Sequence, residues 1–132
     1  MSRRSFCACV LLLGLVVAAS VHATPTATAK AEIDYLLAKI GGSGCEFYRN
    51  GTWYDGTKAV SHLQFKYGNL VASQLISTTD DFIERAASRS SFTGEAYMIR
   101  CAGAAPVTCA SWLRTQLAAY RETSGALRDT RH

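Results

Sequence analysis

The first 23 residues constrain this chain most. Arg3 and Arg4 precede an apolar run from Phe6 to about Ala19, and Val21 and Ala23 place tolerated residues at the third and first positions before a cut after Ala23. This is the pattern of a secretory signal peptide. The run falls short of the ~18–20 residues that a permanent membrane span needs. Cys7 and Cys9 precede most of the run, whereas a lipid-modified cysteine follows it, so no lipoprotein anchor is expected. What is left to fold is a chain of 109 residues, 24–132, in a periplasmic or secreted, oxidising setting. That length allows one domain, which would bury roughly two thirds of its unfolded surface.

Loss of the leader also resets the charge. The whole chain carries +4, but without Arg3 and Arg4 there are 12 Lys and Arg against 10 Asp and Glu, a net +2. Nucleic-acid binders usually show a strongly basic face, so that class is not expected. Nor is a membrane span expected after cleavage.

Hydrophobic periodicity sets the elements. Ile33, Leu36, Leu37 and Ile40 form one stripe of a helix over Lys30–Ile40, with Gly41-Gly42 as its stop. Thr24–Ala29 reads as a flexible lead-in. Cys45–Asp55 reads as a β-hairpin, because Asn50-Gly51 favours the positive φ angles of a type I′ turn. Asn50-Gly51-Thr52 is also a formal glycosylation sequon, but the turn accounts for it without sugar. A second helix over Thr57–Val71 buries Val60, Leu63, Tyr67 and Leu70. Thr78 and Asp81 form a capping box for a third, which buries Phe82, Ile83, Ala86 and Ala87 and ends near Ser88. Ala96–Cys101 reads as a strand. Thr108 caps a fourth helix, whose main face carries Trp112, Leu113, Gln116, Leu117 and Tyr120. The expected architecture is α+β: a small, three-stranded, mostly antiparallel sheet packed on four helices, with residues 24–122 as the domain and 123–132 as a flexible tail.

Three cysteines remain after processing, Cys45, Cys101 and Cys109, so one bridge and one free thiol are expected. Cys45 opens the first strand and Cys101 closes the last. In neighbouring antiparallel strands those ends lie within the ~4.4–6.8 Å Cα separation of a disulfide. The pairs 45–109 and 101–109 stay open if the fourth helix folds back onto a strand end. Cys109 reads either as a small buried side chain beneath Trp112 and Leu113, the favoured reading, or as a reactive thiolate in a first helical turn. No close Cys-x-x-Cys pair exists and His62 is the one internal histidine, so neither zinc nor any other cofactor is expected.

The stretches SGCEFYRNG (43–51), HLQFKYG (62–68), FIERAASRSSFTGEAYMIRC (82–101) and WLRTQLAAY (112–120) together resemble the YfeK-like family of short exported bacterial proteins of unknown function. The resemblance spans nearly the whole mature chain. It implies a periplasmic location and favours the Cys45–Cys101 pairing, since Cys109 departs from the small polar residue of the family pattern. It implies no activity.

The segment RSSFTGE (89–95) is dense in polar groups. Most of it has a structural reading: Asp81–Arg85 as a helix-surface ion pair, Arg89 at a helix C-terminus, Ser90 and Ser91 bonding loose backbone groups, and Gly94 turning the chain. A functional reading adds Arg49, His62, Lys66 and Arg100. If the second helix crosses the sheet, His62, Lys66, Arg89 and Arg100 face one groove with Ser90, Ser91 and Glu95 on its rim. Guanidinium groups grip carboxylates and phosphates, so the groove would suit a small anionic ligand, a cell-wall fragment or a periplasmic protein. Catalysis is the thinner alternative. A hydrolase would use Ser90 or Ser91 with His62 and one of Asp55, Asp80 or Glu95, but no Gly-x-Ser-x-Gly elbow is present. A glycosidase would need a second carboxylate beside Glu95. TGEAY (93–97) is similar to the Ser-Gly-x-x-Tyr loop of periplasmic lysozyme inhibitors, over five residues.

Overall fold

The computed structural model describes residue 18 and residues 22–131. Nearly all of the expected leader, including Arg3, Arg4, Cys7 and Cys9, lies outside the described residues. Four helices and four strands follow in the order α1 (Ala27–Gly42), β1 (Glu46–Arg49), β2 (Thr52–Tyr54), α2 (Gly56–Ala72), α3 (Thr79–Asp81), a π-helical turn (Phe82–Ala86), β3 (Met98–Arg100), β4 (Val107–Thr108) and α4 (Cys109–Asp129). The fold is α+β, as its sequence indicates, but the antiparallel sheet has four strands rather than three, in the order β2-β1-β3-β4. The extra strand is the dipeptide before the Thr108 cap. Val107 pairs with Ile99 and Thr108 with Met98, so the lead-in to α4 completes the sheet. Two residues leave no periodicity to read.

Helix α1 is the central element. Its Ile33, Leu36 and Ile40 are fully buried, and it packs against α2, α3 and α4. Thr26 caps it, so residues 27–29 of the expected lead-in are helical. Gly41 and Gly42 stay in the helix, and the left-handed residue is Gly44, at φ 67°. At the other end of the chain α4 continues to Asp129, through most of the stretch expected as a tail. In the Thr78 capping box, Asp81 accepts from the Ser77 and Thr78 backbone N–H groups, which holds its carboxyl down at about 2. The next turn is wide. Ala87 N–H reaches the Phe82 carbonyl five residues back, and Phe82, Ile83, Ala86 and Ala87 are all fully buried.

The sheet has one covered face and one open face. Phe47 and Ile99 are partners in register and buried; Phe47 meets Trp112 of α4 edge-on at 6.4 Å. Side chains alternate along a strand, so Glu46, Tyr48, Met98 and Arg100 take the open face. Cys45 and Cys101 are bonded just beyond the Glu46–Arg100 pair, with Cα atoms 4.4 Å apart. Cys109 is the free cysteine among the described residues and is buried.

Two close approaches position the rest. A Cβ on Gly56, the first residue of α2, would stand 2.6 Å from the Ile40 carbonyl oxygen, so only glycine lets α2 begin against the end of α1. Glu32 of α1 is buried and accepts two hydrogen bonds from Arg121 of α4, at 2.8 and 2.9 Å, and a third from the Thr79 hydroxyl. That carboxylate ties α1, α3 and α4 together.

Candidate functional site

The chain turns through Asn50-Gly51 with φ of 48° and 88°, as a type I′ hairpin requires. Both atoms of the Asn50 amide are engaged: its Nδ2 donates to Ser90 Oγ at 3.1 Å, and its Oδ1 accepts from the Thr93 hydroxyl at 2.9 Å. Ser90 is buried, and its Oγ also accepts from the backbone N–H groups of Phe92 and Thr93. Thus the 90–94 loop is a braced turn laced to the hairpin tip, and Gly94, at φ 72°, lets it close.

Between the covered face of the hairpin and α2 lies a cavity of about 200 Å³. Buried Phe47, Leu63, Tyr97 and Cys109 form its inner wall. Partly exposed Arg49, Tyr54, Ala59 and His62, with exposed Lys58, form its rim, and Tyr48 completes the lining. Strand parity explains the selection. Arg49 is two residues from Phe47, Tyr54 is the register partner of Phe47, and Tyr97 is two residues from Ile99.

A polar relay crosses this cavity. Arg49 Nη1 donates to His62 Nδ1 at 2.6 Å. A guanidinium only donates, and Nη1 is farther from Nε2, at 3.4 Å, so the shorter contact makes Nδ1 the acceptor and puts the neutral ring's proton on Nε2. Nε2–H then donates to Tyr97 Oη at 3.0 Å, and Lys66 Nζ donates to the same oxygen at 3.4 Å. Tyr97 Oη thereby accepts twice, and its own proton has no acceptor among the described residues. Burial, then Arg49 and Lys66, lowers the His62 pKa below its ordinary value. Burial also lowers that of Lys66 and raises that of Tyr97. The Cys109 thiol is pushed up to about 12 by burial, which leaves it protonated and a poor nucleophile.

This geometry makes a prediction for the histidine. A ¹⁵N-edited NMR titration of His62 should find the neutral Nε2–H tautomer at pH 7 and a midpoint below the ~6.5 of a free histidine. The folded pKa is depressed, so the unfolded chain binds the proton first and stability falls as pH drops through the 6.5 region. A midpoint above 6.5 would contradict the relay.

The expected groove is only partly assembled. His62, Arg49 and Lys66 do converge, but Lys66 acts through Tyr97 and gives its best hydrogen bond, 2.7 Å, to the Arg89 carbonyl. The Arg89 guanidinium points elsewhere, 3.6 Å from Glu84. Arg100 is on the open face, paired with Glu46 at 2.8 Å and 4.0 Å above the Trp53 ring. Glu95 accepts from the Tyr48 hydroxyl at 2.7 Å, and Ser91 is exposed on the loop. The Asp81–Arg85 ion pair is present at a loose 3.9 Å. Neither Ser90, with its hydroxyl spent on Asn50 and the loop, nor Ser91 is among the hydrogen-bond partners of His62. The tyrosine of TGEAY is buried rather than displayed. Of the cavity lining, the sequence singled out Arg49 and His62 as site residues and missed the rest, Tyr97, Tyr54 and Lys58 among them.

Among the described residues, no group of three or more His, Cys, Asp or Glu side chains could hold a metal ion, and no helix is long and apolar enough to cross a membrane. The molecule is a small disulfide-bonded α+β domain with an apolar-walled cavity rimmed by Arg49, Lys58 and His62. Residues 27–121 match the family of unknown function DUF5329, and the chain belongs to that family. It is similar to the uncharacterised protein YfeK of Salmonella typhimurium strain LT2, with 38% identity over 96 residues, covering 72% of this chain and 76% of that protein. No solved structure matches it.

Proposed function

We propose that this chain is an exported, non-catalytic binding module whose cavity takes a small anionic ligand. One observation carries the reading: the cavity presents donors and positive charge without a carboxylate in its lining. Arg49 is half-buried there, donates to neutral His62, lies 5.2 Å from the centre of the Tyr54 ring, and has no ion-pair partner among the described residues. A partly desolvated guanidinium in that state has fork donors to spare for a carboxylate or phosphate. Lys58 adds charge at the rim, and the spare Tyr97 proton adds a neutral donor. The leader supports export into the periplasm or medium, and the bridge suits that oxidising setting.

Catalysis has less to work with. His62 is held between a cation and a phenol rather than between a nucleophile and a carboxylate, so it lacks the orienting acid of a triad.

Isothermal calorimetry with a panel of small carboxylates and phosphates tests the proposal. Saturable binding is expected, weakened about 10- to 100-fold in Arg49→Gln, since a hydrogen bond to a charged group contributes roughly 1.5–3 kcal/mol. Equal affinity in the variant would remove Arg49 from the site and the proposal with it.

A further inference from the structure

Building on the anion-binding reading, we infer that the ligand is an organic anion with one flat apolar ring, of the aryl carboxylate class. The inner wall is apolar and aromatic: Phe47, Leu63 and Tyr97 are buried around the cavity, and Tyr54 stands at the rim. An inorganic anion would meet Arg49 but leave those walls against water or empty space. Dry apolar cavities of about 150 Å³ accept a benzene molecule. A cavity of about 200 Å³ therefore takes one ring plus a short acidic arm.

The polar groups fix the orientation of such a ligand. Arg49 sits at the rim with spare guanidinium N–H groups, and Lys58 is exposed nearby, so the carboxylate belongs at the mouth. The ring then lies inward, beside the protonated, unreactive Cys109 thiol. Tyr97 places its free hydroxyl proton within the lining, where it can meet a carboxylate oxygen or a ring substituent that accepts a hydrogen bond. Offset or edge-on contact with Phe47, Tyr54 and Tyr97 would favour a flat ring over a branched aliphatic group of equal volume.

The test uses the chain as the cell produces it and three probes: acetate, phenylacetate and benzyl alcohol, each titrated by chemical-shift perturbation. Phenylacetate should bind about 10- to 100-fold more tightly than acetate, the increment expected for burying one ring. Benzyl alcohol lacks the charge and should be at least about tenfold weaker than phenylacetate. Ala59→Leu adds bulk to the cavity lining and should weaken phenylacetate binding at least about tenfold in protein with a native melting curve. If acetate and phenylacetate bind alike and both lose affinity in Arg49→Gln, the ring is wrong while the anion site stands. If benzyl alcohol matches phenylacetate, the charge is irrelevant and both readings fall. If no anion binds to protein with a native melting curve, both fall as well.

Discussion

Serine at both Cys45 and Cys101 should lower the unfolding free energy by about 4 kcal/mol. The bridge joins positions 56 residues apart, and closing a loop of that length removes roughly this much free energy of chain entropy from the unfolded state. For a domain of about 100 residues the melting temperature should fall by roughly 20 °C. The bond also sits where the sheet needs it. Strands β1 and β3 are four and three residues long and are held by three register pairs, ending at Glu46–Arg100. Differential scanning calorimetry of the double variant, with Cys109→Ala as a control, checks the effect. A double variant that melts within a few degrees of the parent would mean that the sheet end is held by packing alone. The control should change little, because Cys109 is a buried, protonated side chain outside the bridge.

Arg121→Met should cost about 2–3 kcal/mol at pH 7, somewhat less than a fully buried ion pair because the Arg121 side chain is half-exposed. The substitution leaves the Glu32 carboxylate buried with only the Thr79 hydroxyl as a partner. Its pH dependence should change sign. In the parent, hydrogen bonding by Arg121 holds the Glu32 pKa below its ordinary value, so this stabilisation is present above the unfolded pKa and is lost as pH falls through the folded one. In the variant the leading remaining influence is desolvation, which raises the pKa. Glu32 then prefers the protonated form, and the variant recovers stability as pH falls from neutral toward 4. Denaturant titrations at pH 7 and pH 4.5 should show the gap between the two proteins narrowing. A constant gap would mean that Glu32 is hydrated through a path the fold does not reveal.

Much of the fold was legible because its signals are local. The stripe Ile33, Leu36, Leu37, Ile40 marks α1, Asn50-Gly51 marks the hairpin, and Thr78 and Thr108 both cap helices as their positions suggest. The pairing of Cys45 with Cys101 followed from strand ends, a coarse property that survives errors of a residue or two. What failed depends on one-residue detail or on distant pairing. Strand β4 is too short to carry a pattern. The polar tail of α4 has only a weak stripe, yet the helix propagates through it once its first turns are docked.

The candidate site was half visible for a related reason. Arg49 and Arg100 look equivalent as basic residues on neighbouring strands, yet they face opposite ways. Had Phe47 and Ile99 been fixed as core positions, parity alone would have kept Arg49 with the cavity, sent Arg100 to the open face, and brought in Tyr97 and Tyr54. Lys66 and Arg89 were harder: their backbone-to-side-chain contact joins α2 to the chain beyond the π-helical turn, and no spacing rule encodes it.

The seating of Gly56 on the Ile40 carbonyl has a consequence for the cavity rim. Lys58, Ala59 and His62 all ride on the first two turns of α2, so their placement is referenced to the main chain of α1 as well as to the buried Leu63 beside them. A single methyl at position 56 would act at the fulcrum, tilting the whole rim while each of its residues stayed chemically intact.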